Sequence, residues 1–256
     1  MSSQKEKIIR EFTKQAETFN EYQKSFSKED INRFALSHMH LTGSESVLEA
    51  AAGTCAFGRT IAPHVSHVTE YDVTEAMLEV GRQEALKQGI GNVSFVQGEA
   101  ERLPFDDGSF DLVVSRLAFH HFEDPGAVMS EMVRVLRAGG RNVIIDMRAR
   151  DESLRETADS IERLRDPSHV RCLSGEEFGD LAGRFGLSVS FCDTIHVPVE
   201  LDAWMDVTKV EGSDREKIRK LMEDDIAGGD KTGFEPYIKD GKIMFDHRWM
   251  VMICEK

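Results

Sequence analysis

The sequence predicts a doubly wound α/β fold built on a largely parallel sheet, and three observations predict it. Short runs of β-forming residues at 47–48, 68–71, 93–96, 110–115 and 142–146 alternate with helical stretches, the pattern that feeds a parallel sheet through crossover helices. The run FDLVVS at 110–115 is almost continuously apolar, as a central strand covered on both faces requires. Residues 45–72 read as half of a nucleotide-binding βαβ unit. Val47 and Leu48 form a short buried strand, 49–55 is a run of acidic, small and Gly residues, a helix starts at about Ala56, and a second strand ends at Asp72.

The loop after the first strand carries the chemical content. Residues without bulk let a backbone approach a ligand closely, and Gly53 tolerates a positive φ. Asp72 follows at roughly the 20-residue distance from which an acidic side chain accepts hydrogen bonds from both ribose hydroxyls. Glu49, at the end of the first strand, sets a carboxylate where a dinucleotide would place its pyrophosphate, a poorly screened repulsion. A GxGxxG pattern would also need glycine where Ala51 and Ala56 stand. A cation suits this position, and S-adenosylmethionine combines adenosine with an ammonium and a sulfonium.

The remaining elements follow in order. Residues 1–40 place Ile8, Ile9, Phe12, Ala16 and Phe19 at helical spacing, either as a packed amphipathic helix or as a flap across the pocket with Phe19 and Tyr22 near substrate. Residues 75–87 form a helix with Thr74 as N-cap, ended by Gly89 and Gly91, and 125–136 another that stops at Gly139 and Gly140. Past the fifth strand, 151–165 is a charged surface helix, Ser174 with Glu177 makes a capping box, 189–197 is a sixth strand and 200–227 a helix containing Trp204. Residues 244–256 close the sheet.

Composition narrows the partners. With 256 residues, 40% of them hydrophobic, the chain can form one domain or a domain with a lid. A net charge of −14 without a basic patch argues against nucleic acid and anionic membranes. The four scattered cysteines fit reduced thiols, the polar N-terminus has no apolar signal core, and no stretch reaches the ~20 apolar residues of a membrane span, so a cytoplasmic protein is expected. His38 and His40 lack further ligands at recognisable spacing, and no metal is expected.

The ordered run VLEAAAGT, EYDVTEAML, GEAERLPFDDGSFDLVVSRLAFHHFEDP and EMVRVLRAGGR resembles the class I S-adenosylmethionine-dependent methyltransferases over about residues 45–147. The similarity is greatest to the group containing the ubiquinone/menaquinone-type and other small-molecule enzymes. It implies a Rossmann-like, seven-stranded sheet whose last strand is antiparallel, with an N-terminal helical flap (1–40) ahead of the methyltransferase domain (41–256) and a helical insertion at about 198–241. It also implies roles: Glu49, Ala51 and Gly53 around the methionine portion, Asp72 on the ribose, Val73 and Met77 beside the adenosine, Glu99 and Ala100 at the adenine edge, Ser115 and Arg116 beside the methyl donor. The sequence departs from the pattern at Ala51 and Cys55, where the family has glycine, and at Glu99, where aspartate is commoner.

Methyl transfer from a sulfonium needs alignment and water exclusion more than acid or base chemistry. His120, His121 and Asp146 are the candidate bases at the ends of the fourth and fifth strands, although a structural role is the commoner one for such residues. Arg116 could bind an anionic substrate or pair with Glu49 or Asp146. Trp204 could face substrate from a lid or build core. The expected activity is in-line transfer to a small-molecule acceptor. A homodimer is compatible with the sequence, which leaves the oligomeric state undecided. The alternatives are a degenerate binding protein that keeps the fold and, disfavoured by Glu49, a nicotinamide-dependent oxidoreductase.

Overall fold

The computed structural model describes residues 3–25, 28–149, 151–229 and 231–256. The side chains of Phe19 and Tyr22, expected near substrate, lie outside the described residues. Two helices lead in, α1 (Gln4–Ser25) and α2 (Lys28–Met39). Strands β1 (Ser46–Ala50), β2 (His67–Asp72), β3 (Val93–Gln97), β4 (Phe110–Arg116) and β5 (Leu136–Met147) then alternate with α3 (Ala56–Ile61), α4 (Glu75–Lys87) and α5 (Pro125–Val135). After α6 (Arg155–Arg165) and α7 (Gly175–Arg184) come β6 (Ser188–Glu200), α8 (Leu201–Val207), α9 (Gly212–Gly228), β7 (Tyr237–Lys239) and β8 (Lys242–Glu255).

The sheet order is β3-β2-β1-β4-β5-β8-β6, with β1 to β5 parallel and β8 inserted antiparallel between β5 and β6. The order reverses between β1 and β4, so the crevice lies at the carboxyl ends of these two strands. Alternation along the strands builds two cores. Leu112, Val114, Val143, Ile145, Val251 and Ile253 pack on one side with Phe57 and Ile61 of α3. Val113, Ile144, Met250 and Met252 pack on the other with Val128 and Met132 of α5.

Two expectations about the C-terminal third are corrected. Among the described residues the sheet has eight strands, not seven, because β7 pairs with β8 across a two-residue turn in which Asp240 and Gly241 both take positive φ (51° and 77°), the conformation that a tight hairpin demands. The helix expected over 200–227 is two, since the chain reverses through Lys209 (φ 57°) and Gly212 (φ 60°). Trp204 is core, not a substrate contact: it is fully buried against Phe234 and Phe245, with the Arg165 guanidinium 4.7 Å from its ring. Helix α8 packs on α1, and just past its end Lys209 Nζ donates to the Lys14 carbonyl at 2.8 Å. The capping box at Ser174 and Glu177 is present as expected.

Candidate active site

Between β1 and α3 the chain turns through Ala51, Gly53 and Cys55, all left-handed at φ 56°, 55° and 57°. The Gly53 N–H donates to Asp72 Oδ2 at 2.8 Å and the Thr74 N–H to Oδ1 at 2.7 Å, so Asp72 ties the tips of β1 and β2 to the start of α4. Thr74 occupies the cap position but makes no side-chain cap bond. Burial pushes the Asp72 carboxyl above its ordinary value, against the Thr74 and Gly53 N–H groups that favour the anion. The left-handed region costs a residue with a Cβ about 1–2 kcal/mol, so Ala51 strains the loop. Ala51→Gly is therefore expected to raise stability by about 1 kcal/mol in urea unfolding. A fall instead would mean that packing of the Ala51 methyl outweighs the strain.

A cavity of about 290 Å³ opens beside this loop. Glu49, Ala51, Gly53, Asp72, Val73, Met77, Glu99, Ala100 and Arg116 border it, as does His121. Ser115, expected with them, is buried in β4 and does not reach it. Tyr71 shapes the adenine-side turn: its hydroxyl donates to the carbonyls of Glu99 and Arg102, in space that a Cβ on Gly98 would occupy.

Glu49 lines the cavity while its Oε2 accepts from the Gly58 N–H at 2.7 Å. Burial raises its carboxyl, and Glu70 and Arg116 pull the other way. Burial lowers the Arg116 guanidinium to about 10, although Glu49 and Asp146 favour its charge, so it remains a cation near neutrality. The Cys55 thiol is pushed up by burial and by Glu70, Glu49 and Asp72, which leaves it neutral and a poor nucleophile.

The three candidate bases separate. Asp146 is fully buried and its oxygens accept from the N–H groups of Ala118 (3.0 Å), Phe119 (2.7 Å) and Met147 (2.7 Å) and from His120 Nδ1 (2.6 Å). With those four partners it holds the turn after β4 and does not border the cavity, which corrects the expectation of a base; His120, locked to it, does not border the cavity either. Burial disfavours the His120 cation, but Asp146 more than offsets this and raises its pKa. His121 does border the cavity. Burial and the neighbouring His120 depress it to about 3, so it is neutral. Its Nδ1–H donates to the Ser168 carbonyl at 3.1 Å, which leaves Nε2 as the acceptor.

Sequence reasoning missed the residues that close the site. Gln4 Nε2 donates to the carbonyls of His121 (3.0 Å) and Ser168 (2.6 Å), and Lys5 Nζ pairs with Glu99 at 2.6 Å. Ile8 and Phe12 add an apolar wall. The helical stripe of α1 signalled that something packs there, but its polar partners lie 94 to 164 residues away, beyond any local pattern. Among the described residues, none of 198–241 borders this cavity, whereas Gln4, Lys5, Ile8 and Phe12 of α1 do. His38 stacks on Phe191 at 4.0 Å. Away from the cavity, Asp159, His169 and Cys172 bring three potential ligand atoms within 4.8 Å. Asp159 Oδ1 there is already engaged by His169 Nε2 (2.7 Å) and the Cys172 N–H (3.0 Å), bonds that pin the loop carrying Ser168.

Residues 48–144 match a family model described as a methyltransferase domain. The uncharacterized methyltransferase YcgJ of Bacillus subtilis is 34% identical over 76% of this chain and 77% of its own length. The chain belongs to the class I S-adenosylmethionine-dependent methyltransferases. The crystal structure of the YcgJ protein superposes with a TM-score of 0.80 at 29% identity, covering 89% of this chain and 98% of that one. The ubiquinone/menaquinone biosynthesis C-methyltransferase UbiE of Hahella chejuensis is 38% identical over 44% of this chain and 47% of its own length.

The cofactor of this family is S-adenosylmethionine, and the donor set fits it. Carboxylates border the cavity at Glu49, Asp72 and Glu99, which suits hydroxyl, amino and cationic groups and repels a pyrophosphate. The nicotinamide alternative is thereby displaced.

Proposed function

We propose that this methyltransferase acts on a small-molecule acceptor bound between α1 and the Phe119–His121 turn. One observation carries the reading: a single cavity extends from the Asp72 and Glu99 end to Arg116, His121, Phe12 and Phe122, with α1 across it. Asp72 would hold the ribose diol, Glu99 and the Ala100 N–H the adenine edge, and Glu49 the cationic portion. When bound, the cofactor supplies an electrophilic methyl group. The chain's share is positioning and exclusion of water, worth roughly 7–11 kcal/mol of a barrier. Ile8 and Phe12 dry the mouth, Arg116 supplies a cation for an anionic or hydroxylated acceptor, and neutral His121 offers Nε2 as a hydrogen-bond acceptor for orienting it.

Two measurements test this. S-adenosylhomocysteine should raise the melting temperature, by about 2.7 kcal/mol of stabilisation at a hundred times its Kd. Incubation with isotopically labelled S-adenosylmethionine and a metabolite extract should yield a labelled small molecule detectable by mass spectrometry. Binding without label transfer to any small molecule, or label on protein or nucleic acid instead, would overturn the acceptor assignment.

A further inference from the structure

Glu70 is the most buried acid the site leaves unexplained. It lies in β2 directly opposite Glu49 in β1, on neighbouring parallel strands about 4.8 Å apart, so both side chains point to the face covered by α3. Glu70 has no exposed surface, and neither of its oxygens has a donor among the described residues. Its place was made for it: a Cβ at Gly58 would sit 2.0 Å from Glu70 Oε1. The same Gly58 donates its N–H to Glu49 Oε2. An ionised carboxylate with no donor, beside a second buried carboxylate, would cost several kcal/mol. A neutral one has an O–H to give, and Glu49 is within its hydrogen-bonding reach.

We propose that Glu70 is a positioning residue for the cofactor: as a neutral carboxylic acid it donates a hydrogen bond to Glu49 and fixes that carboxylate at the cavity wall. The charged and titratable groups around it accord with this. Glu49 on β1 disfavours a second negative charge, the Cys55 thiol in the loop is neutral and adds none, and Arg59 on α3 favours one but is turned to the Thr54 carbonyl. Arg116 on β4 acts on Glu49 and so selects which of the pair is the anion. Burial and Glu49 together hold the Glu70 carboxyl well above its ordinary 4.5. The inference rests on Glu49 facing the cofactor, so its test has one arm without ligand.

In that arm, melting temperature is followed against pH. The unfolded chain releases the Glu70 proton near 4.5 and the folded protein only well above it, so this residue stabilises fully below that pH and the contribution fades as pH rises. Glu70→Gln cannot titrate, and the wild type should lose stability relative to it as pH climbs from 5 to 9. Identical profiles would overturn the pairing. In the second arm, S-adenosylhomocysteine affinity is measured by calorimetry. Glu70→Leu, with no donor, should bind about tenfold more weakly, and Glu70→Gln, whose amide still donates, should recover to within about threefold of wild type. Wild-type affinity in Glu70→Leu would overturn the positioning role even if the ligand-free arm holds. Should Glu70→Leu fail to fold, a tenfold loss in Glu70→Gln would do so instead.

Discussion

Asp72→Ala should abolish the stabilisation by S-adenosylhomocysteine and weaken its binding by at least about 100-fold, since two hydrogen bonds that a carboxylate accepts from a diol contribute about 1.5–3 kcal/mol each. The side chain is placed by the fold itself. It ends β2, borders the cavity and is gripped by the N–H groups of Gly53 and Thr74. Part of the loss will come from those two donors going unmet, and the melting temperature without ligand reads that part separately. Asp72→Asn, which keeps an acceptor, should fall between. Calorimetric affinity of Asp72→Ala within tenfold of wild type would remove the ribose role.

Asp146→Ala should be the most destabilising single change at the site, by roughly 3–5 kcal/mol in urea unfolding, because it strips a buried imidazole of its counter-charge and leaves the Ala118, Phe119 and Met147 N–H groups without an acceptor. That is a large share of the 5–15 kcal/mol that typically holds a domain together. The deficit should depend on pH. Asp146 raises the pKa of His120 above its ordinary 6.5, so the pair stabilises fully below 6.5 and progressively less as pH climbs through the raised value. The gap between wild type and Asp146→Ala should therefore narrow in alkaline buffer. A gap below 1 kcal/mol at neutral pH would mean that the turn after β4 holds without the carboxylate.

The parallel half of the sheet was legible because its signal is local. Phe110 to Ser115 is almost continuously apolar and Asp72 falls at a set distance after a loop of small residues, whereas the stop expected at Gly139 and Gly140 is misplaced, since α5 ends at Val135 and both glycines lie within β5. The rest depended on contacts that no local pattern carries. Trp204 and the apolar residues near it look alike whether they face a substrate or a core, and only the sheet behind α8 decides for the core. The hairpin of β7 and β8 did carry a signal, the Asp240-Gly241 pair, which was submerged in a segment read as helical insertion. Gln4 and Lys5 are unremarkable polar residues until α1 crosses the cavity. Glu70 stands between Thr69 and Tyr71 in a strand whose alternation says which way it points, not that its charge must be suppressed.

The clearance at Gly58 also ties two positions 12 residues apart into one volume. A Cβ at 58 would lie 2.0 Å from Glu70 Oε1, so an alanine there would push the end of the Glu70 side chain away from its place beside Glu49. A bulkier residue at 58 therefore goes with a shorter one at 70.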